Sequence, residues 1–378
     1  MDNSLKKIIS ESLRGITGIF ASSKKSDEAL GIDIGSSSIK VVQLKRKGGK
    51  AVLETYGVLA LGPYGSTDIG AVTNLQPDEI ARALLDVIKE SNVTTKAASI
   101  SIPSLSSLIF TITLPSKISE KDLPKIIPTE ARKYIPVPIS EVTLDWFVIP
   151  EEAESFETED KSKDIVQSKM EVLVIAIHND TLARYQEILK KTELQSDSFE
   201  MEIFSSIRSS FGHDLAPVLL IDFGASKTKV SIVESGVVRV FHVVNRGSQD
   251  ITRNISQSLS IPFSEAEKLK RSVGLDNRID PNVESIIRLS VDYIFSDINS
   301  VVLAFEKKYN KNISKVVMVG GGSLLNGLLK KAEENFNVEV MHSNPFAKTE
   351  APAFLTPVLE TSGPEFAVAV GLALRQLS

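Results

Sequence analysis

The sequence has no cysteine. Disulfides, thiol catalysis and cysteine-based metal sites are therefore excluded, and a reducing compartment is suited. Histidine is scarce: His178, His213, His242 and His342 are scattered without ligand spacing, so no histidine metal centre is expected. Basic charge is not in excess. Forty-three Lys and Arg stand against 48 Asp and Glu, a net charge of -5. That argues against nucleic acid as a partner, because phosphate-backbone binding usually needs a basic face. No apolar run approaches ~18 residues, so no transmembrane helix is predicted. The phosphate-loop pattern GxxxxGK[ST] is missing, as is GxGxxG after a first strand.

What is present suits a soluble globular chain of two or three domains, with 378 residues, 42% hydrophobic and 24% charged. At the start, Leu5, Ile8, Ile9, Leu13, Ile16 and Phe20 recur at roughly helical spacing, with Lys6, Lys7 and Arg14 on the other side. This is either an amphipathic segment resting on a membrane or partner, or a loosely ordered terminus weakened by Gly15 and Gly18.

The most informative stretch is LGIDIGSSSIKVVQL, residues 30–44, where an aspartate interrupts an apolar strand just before a run of small residues. It recurs 189 residues later as Leu219–Val233, with seven identities in fifteen positions, among them Asp33/Asp222, Gly35/Gly224, Ser37/Ser226 and Lys40/Lys229. A repeat at half the chain length implies two related halves. Each copy reads as strand, tight glycine turn, strand, and a further strand follows over 51–58 and 237–244. Gly35 and Gly224 are expected to use backbone angles closed to other residues and to admit a ligand to the main chain. Turns of this kind point several N–H groups into one space, an anion-binding nest. Ser36, Ser37, Ser38, Ser226 and Thr228 can add hydroxyl donors. Two facing turns would grip a polyphosphate, and magnesium would compensate the charge of Asp33 and Asp222.

A third element is KVVMVGGGSLLNGLLKKAEENF, residues 315–336. It reads as a short strand, a Gly320–Gly321–Gly322–Ser323 turn on which a ligand could lie, and an amphipathic helix with Leu324, Leu325, Leu328 and Leu329 on its apolar side.

Elsewhere the patterns give a helix over 77–90, a strand over 97–102, and an apparent insertion over about 104–179. The insertion contains strands at 108–114, 142–149 and 171–177, a helix at 120–135 made awkward by Pro124 and Pro128, and an acidic tract EEAESFETEDKSKD. A kink, or a start delayed to Pro128, is expected in that helix. A helix over 181–192, a strand over 196–202 and a connecting helix near 204–210 lead into the second half. Helices follow over 250–259, 264–272 and 282–308, with Ser264 and Glu267 at capping-box spacing. A closing helix covers 365–377.

The two Asp-x-Gly hairpins followed by the glycine turn resemble the actin-like ATPase superfamily, which includes actin, heat-shock chaperone ATPases, sugar kinases and FtsA. EARKYIPVPISEVTLDWFVI, MEVLVIAIHNDTLARYQEILKKTEL and LLIDFGASKTKVSIVESG make the chain similar, within it, to the PilM family of type IV pilus assembly proteins. This resemblance implies an α/β fold of two duplicated ribonuclease-H-like lobes, 28–212 and 213–378, after a tail 1–27. It also implies an inserted FtsA/PilM-type small subdomain and a helical subdomain at about 250–310. It places Asp33, Gly35, Ser36, Ser37, Ser38 and Lys40 in a first phosphate loop and Asp222, Gly224, Ala225, Ser226, Lys227 and Thr228 in a second. Gly320, Gly321, Gly322 and Ser323 fall on the adenosine side, and Glu265 and Lys268 where ribose or base is often contacted. ATP and Mg2+ are the implied cofactors, with Asp33 and Asp222 toward the metal.

The implied role is a cytoplasmic ATP-binding scaffold at the inner membrane that binds the N-terminal cytoplasmic tail of a PilN-like membrane protein. The tail would lie in a groove between the first subdomain and the inserted one. Ile109, Phe110, Tyr134, Ile135, Trp146 and Phe147 would line it, or else form that subdomain's own core. Other pilus-assembly proteins and self-association are further possible partners. A small-molecule kinase on the same fold remains open, with Asp33, Asp222 and Glu202 as the acidic candidates, as does an FtsA-like division or filament protein. At most slow hydrolysis is expected, because turnover needs a positioned water as well as the loops.

Overall fold

The structure is a computed structural model that describes residues 27–119, 121–149, 169–212 and 214–377. The amphipathic stretch before residue 27 and the acidic tract lie outside the described residues.

In chain order the elements are β1 (Glu28–Ile34), β2 (Ser38–Lys47), β3 (Lys50–Ala60), α1 (Pro77–Glu90), β4 (Ala97–Ile102), β5 (Ser107–Pro115) and α2 (Leu123–Ala131). Then come β6 (Val142–Ile149), β7 (Lys169–His178), α3 (Asn179–Thr192), β8 (Gln195–Met201), α4 (Glu202–Ser210), β9 (Val218–Phe223), β10 (Thr228–Glu234) and β11 (Val237–Val244). The chain continues with α5 (Ser248–Leu259), α6 (Phe263–Val273), α7 (Pro281–Tyr309), β12 (Lys315–Val319), α8 (Leu328–Phe336), β13 (Glu339–His342), α9 (Thr356–Ser362) and α10 (Ala367–Gln376).

The chain divides into two units, Ser104–Arg184 on one side and Ser22–Pro103 with Tyr185–Ser378 on the other. The larger unit contains two sheets of identical plan, β3-β2-β1-β4-β8 and β11-β10-β9-β12-β13. In each, three antiparallel strands are followed by two parallel ones. The sequence repeat is thus a repeat of topology. Its hairpins place Asp33 opposite Lys40 and Asp222 opposite Lys229.

The core of the second half forms where α7 crosses β9 and β10. Val283, Ile287, Val291, Ile294, Phe295, Ile298, Val302 and Phe305 meet Leu219, Ile221, Phe223, Val230 and Ile232. Each such side chain removed from water contributes about 1.5–3 kcal/mol. The helix starts at Asp280, whose carboxylate accepts from Asn282 N–H at 2.9 Å and Val283 N–H at 3.1 Å. Such a cap contributes about 1 kcal/mol.

Three expectations change. First, the closing helix, expected over 365–377, spans Ala367–Gln376 and is preceded by a 3-10 turn at Gly363–Phe366. Phe366, Ala369, Val370 and Ala373 pack on Ala29, Val42 and Leu44 of the first sheet. A Cβ at Gly31 would stand 1.9 Å from Ala369 O, and one at Gly371 1.9 Å from Ser205 O, so β1, α10 and α4 touch backbone to backbone. Periodicity marks the apolar face of this helix but not which sheet receives it. Second, α2 begins at Leu123, not at Pro128. Pro124 occupies the first turn, where a missing N–H is tolerated, and Pro128 lies inside the helix. Third, Ser264 caps nothing. The α6 N-cap is Pro262, and Glu267 is engaged elsewhere, as described below.

In the smaller unit β7 runs between β5 and β6, both antiparallel to it. One face packs on α2 through Ile112, Val172, Val174 and Ala176 against Leu123, Ile127, Ala131 and Ile135. Ile135 is therefore core, with Phe110 and Trp146 packed against the same cluster. Tyr134 stacks on Phe110 at 5.0 Å between centroids and is 53% exposed.

Candidate functional site

Each Asp-x-Gly turn closes in the same way. Gly35 N–H donates to Ser38 O at 3.0 Å, and Gly224 N–H to Lys227 O at 3.1 Å. Neither glycine has a positive φ. The expected special angles are absent, and what the turns require is a missing side chain. A Cβ would stand 3.0 Å from Ser38 O at Gly35 and 2.8 Å from Lys227 O at Gly224.

The carbonyls of both turns are held from behind. Thr73 N–H donates to Ser36 O and Leu61 N–H to Ser37 O, both at 2.9 Å. Ser248 N–H donates to Gly224 O at 3.0 Å and Gln249 N–H to Ala225 O at 2.9 Å. In a trans peptide the N–H points opposite to the C=O. The N–H groups of Ser37, Ala225 and Ser226 are thereby aimed away from these partners, and among the described residues they have no backbone acceptor. One outward donor in the first turn and two in the second result. The hydroxyls of the loop residues divide. Thr228 Oγ1 donates to Arg246 O at 2.9 Å and is taken internally, whereas Ser36, Ser37 and Ser226 stay partly exposed. Lys227 Nζ donates to Asn245 Oδ1 at 2.8 Å.

The aspartates already carry compensating charge. Asp33 accepts from Ser101 Oγ at 2.9 Å and lies 4.0 Å from Lys40 Nζ. Asp222 lies 3.0 Å from Lys229 Nζ, which also contacts Glu202 at 2.7 Å. Burial alone would lower the Lys229 ammonium, but Asp222 and Glu202 outweigh it and hold the pKa well above the ordinary lysine value. In each half the cross-strand lysine that the repeat preserves stands beside the aspartate. Among the described residues no three Asp, Glu or His side chains cluster as an inner metal shell. Glu202 begins α4 and does not end a strand. Its carboxylate is paired with Lys229.

The third turn reaches the second. Gly320 has φ +85°, and a Cβ there would meet Asp222 Oδ1 at 2.5 Å. A Cβ at Gly322 would meet the Phe223 ring at 2.3 Å. Two of the three glycines therefore serve close packing on the end of β9, whereas Gly321 is exposed and a Cβ there would meet only Glu365 Oε2, at 3.9 Å. Ser323 is fully buried, its hydroxyl donating to Gly320 O at 2.7 Å. The expected helix after this turn is interrupted: residues 321–324 form a 3-10 turn, and Gly327 at φ +80° precedes α8.

Glu265 and Lys268 are both exposed. One helical turn carries the buried pair instead. Glu267 contacts Lys270 at 2.6 Å, Arg271 at 2.8 Å and Thr252 Oγ1 at 2.7 Å. Burial would raise the Glu267 carboxyl, but Lys270, Thr252 and Arg271 keep it below the usual range. Glu365 is a further residue that sequence patterning misses. It follows Pro364, whose carbonyl accepts from Gly320 N–H at 2.8 Å, and its Oε2 lies 3.9 Å from where a Gly321 Cβ would be. Burial raises its pKa, against the opposing charges of Lys40 and Arg271. Lys40 of β2 and Arg271 of α6 are thus both within electrostatic reach of Glu365 beside the third turn.

The sequence model of the type IV pilus assembly protein PilM family matches residues 31–377. The chain belongs to this family. The cell division protein FtsA of Neisseria meningitidis serogroup B is 23% identical over 350 residues, covering 83% of this chain and 82% of that protein. A solved PilM-PilN type IV pilus biogenesis complex contains a chain superposing with a TM-score of 0.78 at 24% identity, covering 94% of this chain and 99% of that one. The ethanolamine utilization protein EutJ from Carboxydothermus hydrogenoformans gives a TM-score of 0.53 at 13% identity, covering 98% of each. At these identities the structural likenesses concern the fold alone, which is the actin-like ATPase fold.

Proposed function

We propose that this PilM-family chain is an ATP-binding scaffold of type IV pilus assembly. The observation that carries the nucleotide is the pair of turns, each with its carbonyls fixed from behind and its aspartate beside a lysine. The loops 35–38 and 224–228 hold the phosphates, Gly321 leaves room on the adenosine side, and Arg271 lies at the rim. Mg2+ is held by phosphate oxygens and water, with Asp33 and Asp222 as outer acceptors, since both carboxylates already carry an ammonium. Because Glu202 is consumed by Lys229, hydrolysis is slow, and the nucleotide acts mainly by biasing closure of the two halves.

The partner is the N-terminal cytoplasmic tail of a PilN-like inner-membrane protein, which tethers the scaffold to the inner face of the membrane. Capture by an outer strand is the favoured mode. The smaller unit offers outer strands β5 and β6, with Tyr134 and Leu105 exposed. The test is a titration of that tail peptide with and without ATP. Binding that tightens or weakens several-fold with ATP supports the reading, and the absence of peptide binding in both states sinks it.

A further inference from the structure

The two turns are joined by a chain of hydrogen bonds through residues 61–76 of the first half. Thr73 gives its N–H to Ser36 O at 2.9 Å and its hydroxyl to the same oxygen at 3.2 Å. The preceding amide, Val72 N–H, donates to the side-chain oxygen of Gln249. Gln249 N–H in turn donates to Ala225 O at 2.9 Å. One route therefore runs from the back of the first turn, across the division between the halves, to the back of the second. The Gln249 side chain is 5% exposed, and its oxygen is the acceptor at the crossing. The same segment reaches α6. Gly70 sits at φ +88°, and a Cβ there would lie 3.0 Å from the Glu267 carboxyl carbon. Leu61 and Leu75, 2% and 5% exposed, anchor its ends in the first half.

We infer that Gln249 is a positioning residue that latches the halves together through the 61–76 strap, so that closure and the geometry of both turns form one cooperative event. This rests on the reading of the turns as a phosphate site. The side-chain oxygen of Gln249 holds Val72 N–H, next to the Thr73 that fixes the Ser36 carbonyl, while the backbone N–H of Gln249 fixes the Ala225 carbonyl. A ligand gripping the outward donors of either turn then stiffens the strap, and a loosened strap frees the peptides of both turns to rotate.

The cysteine-free chain allows a direct test. Lys47→Cys in the first half and Glu333→Cys in the second, both exposed, take a donor and an acceptor dye for energy transfer without nucleotide. Gln249→Met removes the acceptor at similar volume, and Gln249→Glu keeps it. The expected result is a wider, longer distance distribution for Gln249→Met and a parental one for Gln249→Glu. ATP affinity should fall about fivefold in Gln249→Met, the equivalent of one neutral hydrogen bond. A Gln249→Met distribution that superposes on the parent overturns the latch. Opening in Gln249→Met with no ATP bound by any of the three proteins upholds the latch and overturns the nucleotide reading instead.

Discussion

Lys229→Met removes the cation shared by Asp222 and Glu202 while keeping the side-chain length. The three side chains are 16%, 17% and 10% exposed, with contacts of 3.0 and 2.7 Å. Removing one partner of a buried pair leaves uncompensated charge and destabilises by about 3–5 kcal/mol. That is a large part of the roughly 5–15 kcal/mol that holds most proteins folded. In a chain of this size the melting temperature should fall by about 4–6 °C. Thermal melts at neutral pH provide the assay. The triple variant Glu202→Gln, Asp222→Asn, Lys229→Met carries no charge and should regain most of the loss. A single variant melting within about 2 °C of the parent at neutral pH, or a triple variant as unstable as the single, would refute the reasoning.

Gly320→Ala should destabilise by about 1–3 kcal/mol or more, combining a positive φ with a clash on Asp222. Gly321→Ala, with only Glu365 Oε2 at 3.9 Å, should melt like the parent, and calorimetry of the two separates packing from space left open. Glu365→Gln removes a carboxyl whose pKa is raised by burial. Such a group disfavours folding once pH climbs above its ordinary value, so the variant should melt above the parent near neutrality and equal to it in acid. The same variant should bind ATP more tightly, because one negative charge leaves the neighbourhood of Lys40 and Arg271; unchanged affinity by fluorescence titration would place Glu365 outside the phosphate field.

Much of the fold is legible from local pattern. The bounds of α1, β4, β6 and β12 follow directly from apolar periodicity between breakers, and the Asp33/Asp222 repeat announces two sheets of one plan. What periodicity cannot supply is long-range choice. It gives α10 an apolar face but not the first sheet as its partner. It finds three glycines at 320–322 without saying that two of them are taken up by Asp222 and Phe223. Identity across the repeat preserved Lys40 and Lys229, yet their role as counter-charges emerges only from the cross-strand register. Glu365 carries no local signal at all, since only the bond between Gly320 and Pro364 brings it to the turn.

Calorimetric titration of ATP into the parent, Asp33→Ala and Asp222→Ala tests most directly whether the two turns make one site. The expected outcome is one nucleotide per chain for the parent, with affinity reduced at least tenfold, about 1.4 kcal/mol, by either substitution alone. Two independent binding events, or a parental affinity left intact by either aspartate variant, would contradict a single site shared between the halves.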